Sequence, residues 1–213
     1  MLKNIVIVAA MALSYAVVSL GGSVTAQEVL EKMKKKYDSM DDVQLRFSQR
    51  LKFSIAKMEQ SRSGLLLVKK ENKYRVEFDD QTIVTDGETV WSFSLSNNRV
   101  LIDRFKMNES SLSPDKILAG APKDYSAVLL DNEKMGGKDV VVLKLVPKNE
   151  NASVKTMKLW VDEGTWLTKK VELVDVGGNE TTYVVEDFKT NLGLPDSRFT
   201  YQIPQGVEVV DLR

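Results

Sequence analysis

The 213-residue chain contains neither histidine nor cysteine, so disulfides have no part in its stability and the usual nucleophile–base pairs and most zinc sites cannot be assembled from it. Thirty Lys and Arg residues balance thirty Asp and Glu for a formal charge of zero at pH 7, and without a basic surplus no nucleic-acid partner is expected. A hydrophobic share of 43% is that of an ordinary globular domain, and no cofactor or metal is called for.

The chain opens with one positive charge, Lys3, and then runs without an acidic residue to Ala26 through an apolar stretch over 5–20. This is the pattern of an export signal peptide over 1–26. Val24 and Ala26 are compact enough for the recognition positions, which predicts cleavage before Gln27. The apolar run is short for a membrane span. A lipid-modified export signal is excluded because no cysteine follows. Residues 27–213 then form a single domain.

Residues 27–38 place Val29, Leu30, Met33 and Tyr37 at helical spacing among Lys and Glu, which predicts an amphipathic helix. From Val43 the period becomes two: Val43, Leu45 and Phe47 alternate with Gln44, Arg46 and Ser48, and Leu51 and Phe53 continue the same face. Strands follow over 63–68 and 74–78. Residues 81–95 read as a hairpin around Asp86-Gly87, whose second arm sets Trp91, Phe93 and Leu95 on one face and Val90, Ser92 and Ser94 on the other. The bulky face must be covered by something apolar. Residues 96–98 turn the chain into a strand over 99–105.

The rhythm stops over 107–123, where Ser113-Pro114 and Gly120-Ala121-Pro122 bracket a short helix at 114–119 carrying Ile117 and Leu118. So short a helix cannot stand alone in water and must lie on something apolar. Strands resume over 126–130, 140–146, 154–162, 166–175 and 181–189, separated by turns at Gly136-Gly137, Glu163-Gly164 and Gly177-Gly178. About ten strands with turns at this spacing predict an antiparallel sandwich or barrel.

Several separated features now coincide. Phe47 and Gln49 lie in the first strand, Gly64 opens the next, Lys69-Lys70 precedes Tyr74-Arg75, and Val84 stands before Asp86-Gly87 and Trp91. The chain closes with Phe199-Thr200-Tyr201 and Pro204-Gln205-Gly206-Val207, then Val209 and Asp211. In this order, across nearly all of 27–213, the chain resembles the LolA family of outer-membrane lipoprotein carriers. The resemblance implies a mainly β fold: an unclosed, strongly curved antiparallel β-barrel of about ten or eleven strands, with an N-terminal helix and short lid helices over a concave apolar face. It implies a monomer of the periplasm, not an enzyme, that binds the acyl chains of lipoproteins. Such a carrier receives them from an ATP-driven exporter in the inner membrane and delivers them to an acceptor at the outer membrane.

On this reading the lipid-binding residues are Leu45, Phe47, Leu66, Val68, Tyr74, Val76, Phe78, Trp91 and Phe93 on the sheet and Ile117 and Leu118 on the lid. The family's usual Arg-Pro after the second strand is Lys70-Glu71 here, which makes Lys70 the candidate lid latch with one ammonium in place of a planar fork. Without the resemblance, the same alternating residues read as core packing, Met33, Met40, Met107 and Met157 as gap-fillers, Lys34-Lys35-Lys36 as a solvated helix face, and Asn151-Ala152-Ser153 as a polar loop. Two rivals are a lipid-binding sensor or a carrier of another lipid on the same half-barrel. A third, an enzyme built on Asp41-Asp42 or Asp79-Asp80, suffers because adjacent strand residues point to opposite faces.

Overall fold

The computed structural model describes residues 24–106, 113–119 and 125–213; the expected leader up to residue 23 and Met107 lie outside them. Helix α1 (Ala26–Asp38) begins at a capping box, in which Thr25 Oγ1 accepts from the Glu28 N–H at 3.2 Å and Glu28 Oε2 accepts from the Thr25 N–H at 2.8 Å. Its inner stripe buries Val29 and Met33 completely, while Lys34, Lys35 and Lys36 stay on the solvent side.

Every strand among the described residues belongs to one sheet. Its strands are β1 (Asp42–Phe53), β2 (Met58–Lys69), β3 (Lys73–Glu77), β4 (Gln81–Thr85), β5 (Thr89–Ser94), β6 (Arg99–Arg104), β7 (Tyr125–Leu129), β8 (Glu133–Met135), β9 (Lys138–Pro147), β10 (Val154–Asp162), β11 (Thr168–Asp175), β12 (Glu180–Thr190) and β13 (Glu208–Asp211). The order is β13-β6-β5-β4-β3-β2-β1-β12-β11-β10-β9-β7, with β8 attached to β9. β13 and β7 form the two ends and do not meet, so the sheet is curved but unclosed. Register shifts at Arg46/Phe47 in β1 and within the β10–β11 pair add local bend and twist.

The fold class is as the sequence predicts, with two short strands more. β8 has three residues and no alternation to announce it. β13 pairs in parallel with β6, Glu208 opposite Arg99 and Asp211 opposite Ile102, and so departs from the all-antiparallel expectation. A parallel partner needs a long connection; here β7 to β12 lie between β6 and β13, and the non-strand stretch after β12 carries the chain back across the sheet to β6.

Two apolar clusters fill the inner side. In one, Val29 and Met33 of α1 meet Leu143, Leu145, Met157 and Leu159 of β9 and β10. In the other, Met40, Val43, Leu45, Phe47, Leu66 and Val68 gather along β1 and β2. Helix α2 (Pro114–Leu118) straddles both, with Ile117 packed on the first and Leu118 on the second. Met33, Met40 and Met157 thus sit in these clusters as packing residues.

The outer face of the β1–β6 half is covered as well. Leu67, Val84 and Val100 point outward yet are fully buried. The stretch after β12 crosses them, with its 3-10 turn (Asp196–Phe199) carrying the fully buried Phe199. Asp42 holds the start of this strap, its carboxylate accepting from the N–H groups of Leu192 and Leu194 at 2.8 and 2.9 Å. Lys69 Nζ donates to the Leu194 carbonyl at 2.9 Å and Asn98 Nδ2 to the Gly206 carbonyl at 2.9 Å. Arg75 Nη1 reaches the carbonyls of Arg198 and Thr200.

Candidate functional site

Between the inner face of the sheet and α2 lies a cavity of about 540 Å³, within the range of small-molecule sites. Alternation in β1 aims Leu45, Phe47 and Gln49 into it; register then brings Leu66, Val76 and Ile83 alongside on β2, β3 and β4. From the other side, β12 sets Val185 opposite Phe47 and Tyr183 opposite Gln49. Ile117 and Leu118 close the roof.

Of the residues predicted to line a lipid site, Leu45, Phe47, Leu66, Tyr74, Val76, Phe78, Ile117 and Leu118 all border this cavity. Val68 is packed within the adjoining cluster and does not reach the surface of the void. Trp91 and Phe93 are the correction. Trp91 pairs with Val84 and Ile102, and Phe93 with Val100, all on the outer face. Phe93 stacks on Tyr201 of the strap at 5.8 Å between ring centroids. For Phe93 the apolar cover is the chain's own C-terminal stretch. Their neighbour Val90, on the opposite side of the same strand, is the one that borders the cavity.

Lys70 occupies the turn after β2, exposed, with its ammonium 3.4 Å from the Asp41 carboxylate; it does not border the cavity. Asp42 anchors the strap and Asp80 lies near Arg62, so the two acidic pairs are spread over separate contacts.

The aromatic wall is built edge to face. Phe47 meets Phe78 at 5.6 Å and Tyr183 at 5.7 Å, and Tyr74 meets Phe105 at 6.4 Å. Phe47 owes its position to Gly64 directly across the β1–β2 ladder: a Cβ there would stand 2.6 Å from Phe47 Cζ. One end of the wall is polar. Gln49, 4% exposed, donates from Nε2 to the Tyr183 hydroxyl at 2.8 Å and accepts from Arg62 Nε at 2.5 Å. Burial pushes the Tyr183 phenol above its ordinary pKa, against the hydrogen bond from Gln49, so it is neutral at physiological pH. Gln49 was legible as a motif residue only; Arg62, Gln81, Tyr183 and Val185 were not singled out. The last two reach the site only because β12 pairs with β1 across more than a hundred residues.

A half-open sheet that keeps an apolar hollow on its inner face beneath a short helix is the architecture of a lipid-binding carrier fold. The family model described as "Outer membrane lipoprotein carrier protein LolA" matches residues 38–202, and the chain belongs to this family. An outer-membrane lipoprotein carrier protein of Pseudomonas putida (strain GB-1) is 25% identical over 197 residues, covering 89% of this chain and 92% of the relative. An uncharacterized protein of Methanocaldococcus jannaschii is 27% identical over 188 residues, 87% of this chain; the chain spans 53% of that relative's length. Among solved structures, an uncharacterized conserved protein from Thermus thermophilus superposes with a TM-score of 0.60 at 15% identity, covering 87% of this chain and 98% of the other, a likeness of fold. Among the described residues no helix is long and apolar enough to cross a membrane.

Proposed function

We propose that the chain is a periplasmic carrier: exported by its 1–26 leader, it takes the acyl chains of a lipoprotein into the cavity and carries them from the inner to the outer membrane. The partners in this reading are an ATP-driven exporter in the inner membrane and an acceptor at the outer membrane. The observation that supports it most directly is the difference between the two faces of the sheet. The outer side of the β1–β6 half is held and covered by the strap, whereas the inner face retains an apolar void of about 540 Å³ under a five-residue helix.

The energetics fit such a role. Moving hydrocarbon out of water is worth about 0.8 kcal/mol per CH₂, so a sixteen-carbon chain contributes on the order of 10 kcal/mol and does not cross an aqueous compartment unaided. A carrier must match that surface and still release it. A cavity roofed by a helix too short to be stable by itself can widen and collapse at small cost. No catalytic group is needed. Lys70 enters as the candidate latch in the place of the family arginine, although its ammonium faces Asp41 and not the cavity; Lys70→Arg should then change the rate of acyl uptake or release, and unchanged rates would remove it from that role.

The decisive experiment is native mass spectrometry of the mature protein with a triacylated lipoprotein and, in parallel, with its acyl-free form. A one-to-one complex with the acylated partner alone is the expected result. No complex with either would discard the lipoprotein reading and leave a sensor or a carrier of a different lipid, which mass spectra of co-purified lipid would separate.

A further inference from the structure

The polar end of the cavity holds chemistry that hydrocarbon alone does not use. Arg62 lies on the half of β2 beyond the reach of β3, whose pairing begins at Leu65, and its side chain is 34% exposed. Its guanidinium sits 3.5 Å from the centroid of the Phe78 ring, flattened against the cavity wall. Nε donates to Gln49 Oε1 at 2.5 Å, and Gln49 is itself fixed by donating to Tyr183 at 2.8 Å. This chain of contacts sets the roll of the arginine fork before any ligand arrives. At the far side, Nη1 is 3.6 Å from Asp80, a carboxylate 66% exposed to water. That distance is too long for a hydrogen bond, and an exposed ion pair of this kind exchanges readily.

We propose that Arg62 is a head-group site: it binds an oxyanion, a carboxylate or a phosphodiester, attached to an acyl chain whose hydrocarbon runs past Phe78 and Phe47 toward Ile117 and Leu118. The inference rests on the cavity being an acyl-chain site, not on its ligand being a lipoprotein, whose ester- and amide-linked chains carry no oxyanion, and it adds the polarity and orientation of the ligand. A planar fork recognises two oxygens at once, which a point charge does not, and the half-buried setting strengthens each bond relative to water. The other cation bordering the cavity among the described residues, Lys106, follows Phe105, whose ring meets Tyr74 at the end of β3 away from Phe78, so the two ends are chemically distinct and the direction of the chain can be tested.

Three ligands of equal chain length, palmitate, 1-hexadecanol and palmitoyl lysophosphatidylglycerol, are titrated below their aggregation limits into the mature protein by calorimetry. The native protein should bind at least one anion about tenfold more tightly than the alcohol, and whichever anion is favoured names the head group. In Arg62→Met that ratio should fall close to one, and in Arg62→Lys it should be intermediate. Equal affinity of the native protein for anions and alcohol, or a preference that survives Arg62→Met, overturns the proposal. So does a preference abolished by Lys106→Met and kept by Arg62→Met, which would reverse the ligand. If the native protein binds none of the three, the acyl-chain reading itself falls and takes this proposal with it.

Discussion

Gly64 and Phe47 show how much of this cavity hangs on single side chains. The absence of a Cβ at Gly64 lets the Phe47 ring lie over the strand backbone and meet Phe78 and Tyr183 edge on. Phe47 and Trp91 are both bulky strand aromatics, but they serve opposite faces, and their substitutions should separate accordingly. Phe47→Glu puts an unpaired carboxylate in the apolar wall and should abolish acyl-chain binding by the folded protein. Trp91→Asp should instead cost about 2–4 kcal/mol of stability by putting a carboxylate beside Val84 and Ile102 on the outer face, while the folded fraction still binds. Urea titration and acyl-chain binding on the same two proteins check this; loss of binding in Trp91→Asp at unchanged stability would mean that the faces are wrongly assigned.

Among the elements, α2 has the least of its own to hold it. Five residues cannot sustain a helix in water, so its position comes from Ile117 against the α1 cluster and Leu118 against the β1–β2 cluster. A helix gripping both halves of the inner side by one residue each is suited to move when the void beneath it fills. Leu118→Ser removes one grip and should weaken it by about 1–3 kcal/mol. Amide exchange at residues 115–118 should quicken in the empty protein, with affinity for acyl chains reduced up to about a hundredfold. Unaltered exchange would show that the helix is fixed by other contacts. The strand pair β1–β2 is the contrasting element, twelve residues long on each side and in continuous register from Asp42–Lys69 to Phe53–Met58.

For the whole molecule, the strap after β12 covers the outer side of the β1–β6 half and leaves its inner side to the cavity. Its hold is partly electrostatic: Asp196 accepts from Lys69 and Lys73 at 2.6 and 3.0 Å, and these hydrogen bonds keep its carboxyl below the ordinary range. A depressed folded pKa contributes stability that is complete above the usual aspartate value of about 3.9 and disappears as pH falls through the lower, folded value. The strap should therefore loosen on acidification only below the ordinary carboxylate range, and sooner at high salt because these groups are exposed. Exchange of amides 192–201, corrected for the intrinsic pH dependence, reports this. Asp196→Asn should show the acid behaviour already at neutral pH; if it exchanges like the native protein, the hold is apolar, through Phe199 and the Phe93–Tyr201 stack.

Local pattern carried most of the secondary structure. The period-two alternation along β1, the helical stripe at Val29 and Met33, and the glycine-bearing turns each depend on neighbours a few residues apart, and such information is contained in the sequence itself. The same alternation sorts Trp91 and Phe93 from Val90 without error, but it does not say which of two faces is the hollow one. That choice was made by tertiary structure: a strap from the far end of the chain covers the aromatic side, and β12, arriving from more than a hundred residues away, brings Tyr183 and Val185 to complete the other. Alternation is a property of one strand, whereas the identity of a cavity depends on what is left uncovered once every strand has found its partners.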